Sequence, residues 1–286
     1  MSESAANEEQ IAFWNGAAGA KWVRMQAGLD AFLEQPLDEL MKISNPKPGD
    51  HVLDVGCGAG ASTFDLAQRV APKGSVTGID ISRPLLELAA RRAKDNGFSN
   101  VTFVEADAQT HEFNEASFDL IASRFGMTFF EDPVAAISRL GMSLKLRGRI
   151  AFVTLASIDD NPWFTIPRDV AMESLGTPAP VDPLAPSPFA FASIERVLLI
   201  LRDAGFDDCA GDRRVVDLEF AGSLNEAARI MTNLGPASRI IAEFHADEQK
   251  VNAIQDEVAA RISCFEMDGV IRVPGTINLF SAIRSR

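Results

Sequence analysis

Short apolar runs alternate with amphipathic segments through the middle of this 286-residue chain. Five runs have the length and composition of buried strands: His51–Val55, Ser75–Asp80, Val101–Glu105, Phe118–Ser123 and Arg149–Leu155. Helical periodicity fills the intervals, over residues 62–70, 82–97 and 133–146, and Ser82 is expected to cap the second of these helices. Strands that alternate with helices at this spacing predict a parallel sheet with helices on both faces. Ligands of such sheets bind beyond the carboxyl ends of the strands, where strand order reverses.

The segments around this alternation predict the organisation of the remaining chain. Helical spacing before the first strand predicts a lid with a break at Asn15 and Gly16, and a proline-rich stretch after the fifth strand predicts an insertion. The predicted units are a helical lid (1–45), a cofactor-binding core (46–156), a proline-rich cap (157–190), core again (191–221), a helical cap (222–268) and a final core strand (269–286). The expected fold is α/β, with a seven-stranded Rossmann-like sheet that contains one reversed edge strand.

Composition narrows the range of partners. The formal net charge is −13 and no run is rich in Lys or Arg, which argues against nucleic acids and anionic membranes as partners. No stretch has the length of a membrane span, and the polar, acidic start lacks the features of a signal peptide. The three cysteines are far apart and have no metal-ligand spacing. These features predict a cytoplasmic protein without a metal site.

The stretch HVLDVGCGAGAS, which begins at His51, carries the strongest chemical signal. Its alternating glycines fit a turn that cradles either a dinucleotide or S-adenosylmethionine. Asp54 favours the second ligand, because a carboxylate there would repel a pyrophosphate but would suit an ammonium and a sulfonium. Asp107 and Ala108 after the third strand could bind an adenine ring, and the order of elements fits one seven-stranded sheet better than two mononucleotide-binding halves.

These residues resemble the class I S-adenosylmethionine-dependent methyltransferases, in particular the small-molecule enzymes similar to the ubiquinone/menaquinone C-methyltransferases. The resemblance is carried by VLDVGCGAG, VTGIDIS, EADAQ and FDLIASRFGMTFFEDP, which occur in that order, and it covers roughly residues 10–156 well. It implies a class I methyltransferase sheet, S-adenosyl-L-methionine as the cofactor, and a cofactor site spread over the ends of the first four strands.

The resemblance also implies a role for individual residues. Gly56, Gly58 and Gly60 would line the methionine and ribose portions of the cofactor, with Asp54 nearby. Asp80 would accept the ribose hydroxyls, Ile81 would lie against the adenine, Asp107 would accept the adenine amino group, and Ala108 would face the ring edge. Ser123 would offer a backbone contact near the methionine tail.

The substrate side of the site is less constrained. Arg124 is a candidate anchor for an anionic or carbonyl-bearing substrate, and Phe125 and Phe129 are candidate walls. Trp14 and Trp22 could close over the site as a lid, and Trp163 is a further substrate candidate. His111 and His245 are weak candidates for a base, and no catalytic base is assigned.

The function expected from these features is in-line transfer of a methyl group to a small, partly apolar molecule. Two alternatives stay open. The same fold could use a different donor or acceptor, such as a folate or a halomethane, or could catalyse chemistry other than methyl transfer. The chain could also be a non-catalytic, cofactor-binding regulatory subunit. The identity of the acceptor and the existence of a homodimer are open at this point.

Overall fold

A computed structural model describes residues 7–182, 184–220 and 222–285. Its strands are β1 (His51–Val55), β2 (Ser75–Asp80), β3 (Val101–Glu105), β4 (Phe118–Arg124), β5 (Leu144–Leu155), β6 (Asp207–Phe220), β7 (Glu266–Met267) and β8 (Val270–Ile283). Its helices are α1 (Glu8–Asn15), α2 (Ala17–Phe32), α3 (Glu34–Ser44), α4 (Ala61–Val70), α5 (Arg83–Asp95), α6 (Pro133–Ser143), α7 (Pro162–Leu175), α8 (Ile194–Asp203), α9 (Leu224–Thr232), α10 (Gly235–Glu243) and α11 (Glu248–Ile262). The first six residues of the predicted lid lie outside the described residues.

Seven strands cross the sheet in the order β3-β2-β1-β4-β5-β8-β6, and the short β7 pairs with β8. The first five strands pair in parallel, whereas β8 runs antiparallel to both β5 and β6. This confirms the predicted α/β class and the seven-stranded sheet. Strand order reverses between β1 and β4, so a crevice opens at the carboxyl ends of these two strands.

The predicted position of the reversed strand at the edge is wrong, because β8 lies one place inside and β6 forms the edge. The physical reason is the difference in polarity between the two strands. Most side chains of β8 are buried, whereas β6 contains the charged run DDCAGDRRVVDLEF and exposes most of its residues. A polar strand can tolerate the edge of a sheet, and an apolar strand is more stable between two neighbours.

Several element boundaries also differ from the predictions. The helix α6 ends at Ser143 and β5 begins at Leu144, so the strand takes residues that the pattern assigned to the helix. The proline-rich segment contains a 14-residue helix, α7, with Pro162 in its first turn. Proline is tolerated there because the first helical N–H groups have no intrahelical acceptor.

Two apolar cores cover the two faces of the sheet. The helices α6 and α8 pack on one face, and α3, α7, α9 and α11 contribute to the other. The N-terminal helices are part of this second core, because Phe32, Leu33, Leu40 and Met41 are all buried in it. The region that can act as a lid is therefore shorter than residues 1–45, and it is limited to α1 and the first part of α2. No described helix is long and apolar enough to cross a membrane.

Candidate functional site

A pocket opens at the carboxyl ends of β1, β2 and β4, beside the point where strand order reverses. The described residues that line it are Asn7, Trp14, Trp22, Val55, Gly56, Gly58, Ile79, Asp80, Ile81, Leu85, Ala106, Asp107, Ala108, Arg124, Phe125, Gly126, Phe129 and Phe130. The pocket therefore combines backbone from a glycine turn, two carboxylates, one guanidinium and a largely aromatic wall.

The glycine turn after β1 is shaped by close contact between two backbones. Gly56 has a φ of 68°, and a Cβ on it would lie 2.6 Å from the Cα of Gly126. A Cβ on Gly126 would in turn lie 2.6 Å from the carbonyl oxygen of Val55. Gly58 differs, because no atom lies within 4 Å of its Cβ position, which leaves open space beside the pocket. The turn thus presents bare backbone to whatever occupies the pocket.

Asp80, the last residue of β2, is fixed by the backbone around it. Its Oδ2 accepts a hydrogen bond from the Gly58 N–H at 2.8 Å, and its Oδ1 accepts one from the Ser82 N–H at 2.8 Å. Burial raises the pKa of this carboxyl, and the backbone hydrogen bonds oppose the rise. Each carboxylate oxygen can accept a second hydrogen bond, so Asp80 is a rigid acceptor for two donors in the pocket.

Asp107 has one carboxylate oxygen for which the described residues supply no partner within hydrogen-bond geometry, although the Asn7 side chain lies near the carboxylate. Its Oδ1 accepts a hydrogen bond from the Gln109 N–H at 2.9 Å, while its Oδ2 is buried and has no hydrogen-bond partner in the described part of the chain. Burial raises the pKa of the Asp107 carboxyl, and the Gln109 backbone N–H and the Asn7 side chain oppose the rise. A buried acceptor without a partner is costly, so this atom is suited to a ligand that brings a donor. Ala108 and Ile81 line the same end of the pocket.

Three predicted cofactor residues lie beneath the pocket rather than in its lining. Gly60 is the residue that precedes α4 at its N-cap, and it packs against Phe64. The hydroxyl of Ser123 donates to the Val55 carbonyl at 2.7 Å and accepts from the Gly126 N–H at 3.2 Å. Asp54 is fully buried under the turn. These three residues hold the two loops in place and do not line the pocket.

The environment of Asp54 is unusual for a carboxylate. Its Oδ2 accepts hydrogen bonds from the Ser62 and Thr63 hydroxyls at 2.7 and 2.6 Å, and its Oδ1 is buried without a partner in the described residues. Burial raises the pKa of Asp54 to about 6, although the two hydroxyls and the positive charge of Arg124 oppose the rise. A carboxylate in this setting is stabilised in its ionised form by positive charge nearby.

The structure brings five of the six substrate candidates to the pocket: Trp14, Trp22, Arg124, Phe125 and Phe129. Trp14 makes edge-to-face contacts with Trp22 and Phe129, with ring centroids 5.6 and 5.7 Å apart. The prediction for Trp163 is wrong in position. Its ring is buried against Phe32, and its Nε1–H donates to Asn161 at 3.0 Å, so it belongs to the core under α7.

Neither histidine candidate reaches the pocket. The backbone N–H of His111 donates to the Asp107 carbonyl, and the His111 ring packs on Phe113 with centroids 4.7 Å apart. His245 lies just beyond the end of α10 with a φ of 48°. The titratable side chains among the described lining residues are those of Asp80, Asp107 and Arg124.

The N-terminal helices are joined to the pocket wall by an arrangement that sequence reasoning missed. The Nδ2 of Asn15 donates to the Ile81 carbonyl at 2.7 Å, and its Oδ1 accepts from the Arg83 N–H at 3.0 Å. Ser82 holds the predicted N-cap position of α5, but its hydroxyl donates to the Trp14 carbonyl at 2.8 Å instead of capping its own helix. Asn15 therefore caps α5 from another helix, and we call these three contacts the latch.

The predicted caps are connected to the pocket only indirectly. No residue from the described parts of 157–190 or 222–268 lines the pocket. The Lys21 ammonium on α2 donates to the Ser238 hydroxyl at 3.0 Å and to the Asn233 carbonyl at 3.5 Å, which links the helical cap to the back of α2. The helical cap thus supports the helix that carries Trp22.

Comparison with known proteins agrees with this geometry. Residues 46–174 match a family model described as a methyltransferase domain. The aklanonic acid methyltransferase DauC of Streptomyces sp. (strain C5) is 40% identical over 115 residues, which cover 40% of this chain and 52% of that protein. The nocamycin O-methyltransferase of Saccharothrix syringae is 34% identical over 162 residues, which cover 57% of this chain and 55% of that protein. The chain spans about half the length of these curated relatives.

A demethylmenaquinone methyltransferase of Lactococcus lactis is 29% identical over 149 residues, which cover 51% of this chain and 59% of that protein. Among solved structures, the YcgJ protein of Bacillus subtilis has a TM-score of 0.57 at 18% identity and covers 88% of this chain and 99% of its own. Phosphoethanolamine N-methyltransferase 2 of Haemonchus contortus, solved with S-adenosyl-L-methionine, has a TM-score of 0.57 at 17% identity and covers 96% of this chain and 59% of its own. At these identities the structural matches establish the fold.

Proposed function

We propose that the protein transfers a methyl group from S-adenosylmethionine to a small, partly apolar molecule, because residues 46–174 match a methyltransferase-domain model and the sheet has the class I methyltransferase fold. The observation that carries the proposal is the meeting of three features in one pocket. These are the open backbone at Gly58, the rigid acceptor pair of Asp80, and the unpartnered Oδ2 of Asp107. Together they match a nucleoside whose ribose and base both bring hydrogen-bond donors.

The residues present fit this cofactor. Asp80 would accept the two ribose hydroxyls, the Asp107 Oδ2 would accept the adenine amino group, and Ile81 and Ala108 would contact the ring. Gly56 and Gly58 would let the methionine portion approach the backbone. The bound cofactor supplies an electrophilic methyl group, which is the demanding part of the chemistry.

The buried Asp54 supports S-adenosylmethionine over a dinucleotide. It lies directly under the glycine turn, where its ionised form is favoured by a cation and would repel a pyrophosphate. Its Oδ1 has no hydrogen-bond partner among the described residues, so a cationic ligand above the turn would add to the stabilisation that Arg124 provides.

The walls of the pocket indicate the character of the acceptor. Trp14, Trp22, Phe125 and Phe129 give it an aromatic lining, which suits a flat, partly apolar molecule. The relatives are named for aklanonic acid, nocamycin and demethylmenaquinone, and we infer an acceptor of comparable chemistry here. Catalysis by alignment of the acceptor with the methyl group can supply on the order of 7–11 kcal/mol of the barrier. No histidine is among the described residues that line the pocket.

We infer that α1 and the first part of α2 act as a lid over the nucleoside. The latch supports this, because it ties the lid to the backbone of Ile81, the predicted adenine contact that follows Asp80, and to that of Arg83. The caps at 157–190 and 222–268 stay as predicted specificity elements, and Lys21 indicates that the helical cap acts through α2. We also propose a cytoplasmic location. The net charge of −13 supports the prediction that neither nucleic acids nor anionic membranes are partners, and a homodimer stays open.

Calorimetry with S-adenosylhomocysteine and NAD tests the proposed function. Wild type should bind S-adenosylhomocysteine and not NAD, and Asp80→Ala should weaken that binding about 30–150-fold, because two charge-assisted hydrogen bonds are lost and water restores part of them. Asp256→Ala, an exposed carboxylate on α11, is the matched control and should bind like wild type. Tight NAD binding without heat from S-adenosylhomocysteine would overturn the proposal.

Labelled methyl donor separates this function from its alternatives. Incorporation of label into a flat, partly apolar acceptor supports methyl transfer. Cofactor binding with a different reaction product would indicate other chemistry on the same fold, and binding without turnover on any acceptor would indicate a regulatory subunit. The comparisons favour neither alternative, since the named curated relatives are methyltransferases.

A further inference from the structure

Arg124 ends β4 and lines the pocket between the glycine turn and the aromatic wall. One hydrogen bond fixes its position: its Nη1–H donates to the Leu33 carbonyl at 3.0 Å, at the junction of α2 and α3. A guanidinium carries five N–H donors, so most of its hydrogen-bonding capacity is unused. No carboxylate in the described ranges forms an ion pair with it.

The two acids that act on Arg124 through space each use one carboxylate oxygen for other partners, and neither forms an ion pair with Arg124 within the described residues. Asp30 accepts hydrogen bonds from Arg92 and Gln26, both at 2.6 Å. The Oδ2 of Asp54 is occupied by two hydroxyls. Burial lowers the pKa of the Arg124 guanidinium, and the negative charges of Asp30 and Asp54 oppose this change. The side chain is thus a largely desolvated cation that no acid contacts directly.

From this arrangement we propose that Arg124 binds a carboxylate inside the pocket. This inference rests on the proposed methyltransferase function. The planar guanidinium can hold a carboxylate through two parallel hydrogen bonds, and a water-poor pocket strengthens such a pair. The Leu33 carbonyl holds one end of the guanidinium, which leaves the other donors free to turn toward the pocket.

Two sources can supply this carboxylate. The cofactor carries one on its methionine tail, and β4, which ends at Arg124, pairs with β1, which leads into Gly56, where that tail is expected. A carboxylate on an aromatic acceptor is the other source, because Arg124 also adjoins Phe125 and the tryptophan wall. The chemistry recognised is the same in both cases, so an experiment must vary the two ligands separately.

The cofactor arm compares S-adenosylhomocysteine with 5′-methylthioadenosine, which keeps the nucleoside but lacks the amino-acid tail. Binding to wild type, Arg124→Gln and Arg124→Lys is measured by calorimetry. Glutamine keeps a donor for the Leu33 carbonyl without the charge, and lysine keeps the charge. Arg272→Gln, which removes an exposed arginine paired with Glu219, controls for net charge. If Arg124 binds the carboxylate of the methionine tail, the affinity for S-adenosylhomocysteine should fall at least about 10-fold in Arg124→Gln and by less in Arg124→Lys. The binding of 5′-methylthioadenosine should not change.

The acceptor arm uses anthraquinone-2-carboxylate and its methyl ester as probes, titrated in the presence of saturating S-adenosylhomocysteine. If Arg124 binds a carboxylate of the acceptor, wild type should bind the carboxylate probe more tightly than the ester. Arg124→Gln should lose this preference. Thermal unfolding of each variant identifies any that is not folded, and Arg124→Lys then carries the comparison.

Each outcome decides between the possibilities. If only the affinity for S-adenosylhomocysteine falls, Arg124 binds the carboxylate of the cofactor. If only the affinity for the anthraquinone carboxylate falls, Arg124 binds the carboxylate of the acceptor. If Arg124→Gln and Arg124→Lys bind every probe as wild type does, Arg124 does not bind a carboxylate. The methyltransferase proposal is not affected by that result. If wild type binds neither S-adenosylhomocysteine nor methylthioadenosine, the proposed function itself fails.

Discussion

Replacement of Asp54 by asparagine should stabilise the protein without ligand, and the gain should grow with pH. The carboxyl is fully buried, and its pKa rises from an ordinary value of 3.8 to about 6 on folding. The folded chain therefore holds this proton more tightly than the unfolded chain. The free energy of unfolding falls as pH rises from about 4 to about 6, and it stays lower at higher pH.

The magnitude follows from the two pKa values. At pH 8 the ionised Asp54 lowers the free energy of unfolding by about 3 kcal/mol, and at pH 5 by about half of that. Asparagine keeps an oxygen that can accept the Ser62 and Thr63 hydroxyls, and it does not titrate. The stability difference between Asp54→Asn and wild type should therefore increase by about 1.5 kcal/mol between pH 5 and pH 8.

Urea unfolding at several pH values, followed by tryptophan fluorescence, measures this difference. Asp256→Asn on the surface of α11 is the control, and its difference from wild type should not change with pH. The reasoning is refuted if the difference for Asp54→Asn is also independent of pH, or if the variant is less stable than wild type at pH 8. A function that depends on the charge of Asp54 adds a second expectation, namely that the more stable variant binds S-adenosylhomocysteine more weakly.

Three further predictions follow from the contacts around the pocket. Asn15→Ala removes two contacts of the latch, so S-adenosylhomocysteine should dissociate about 3–10-fold faster in stopped-flow fluorescence, and proteolysis within residues 8–25 should accelerate. Dissociation and proteolysis at the wild-type rates would contradict a lid. Gly126→Ala places a Cβ 2.6 Å from the Val55 carbonyl, so thermal stability and S-adenosylhomocysteine affinity should both fall, and an unchanged affinity would show that the turn adjusts. Trp163→Phe loses the bond to Asn161, so the free energy of unfolding should fall by about 1 kcal/mol with unchanged S-adenosylhomocysteine binding, and weakened binding would show that Trp163 acts beyond the core.

The fold was predictable where one local rule decided each element. The first four strands begin at the predicted residues, because each is a short apolar run bounded by turn residues. The position of β8 within the sheet was not predictable from its own residues. The local sequence pattern of a strand does not distinguish an edge position from one between two neighbouring strands. The order of the two strands becomes evident only when the apolar β8 is compared with the charged β6.

The site shows the same division between local and long-range information. Gly58, Asp80 and Asp107 lie at strand ends, so topology alone brings them to one pocket. Trp163 follows a strand end too, but the bond between its indole and Asn161 turns it into the core, and nothing in the local pattern reveals that bond. Asn15 was visible only as a helix break, because its role as the cap of α5 depends on a partner 68 residues away.

The position of β8 between β5 and β6 has a consequence for vectorial synthesis on the ribosome. The fourteen residues of β6 leave the exit tunnel well before their partner in the sheet exists, since β8 begins only at Val270. At about 5–20 residues per second, this interval lasts several seconds. The charges of β6 keep the waiting strand hydrated, while β5 lacks the β8 partner that covers its edge in the finished sheet. We expect nascent chains arrested before Val270 to protect β1–β4 from protease and to leave β6 open to cleavage.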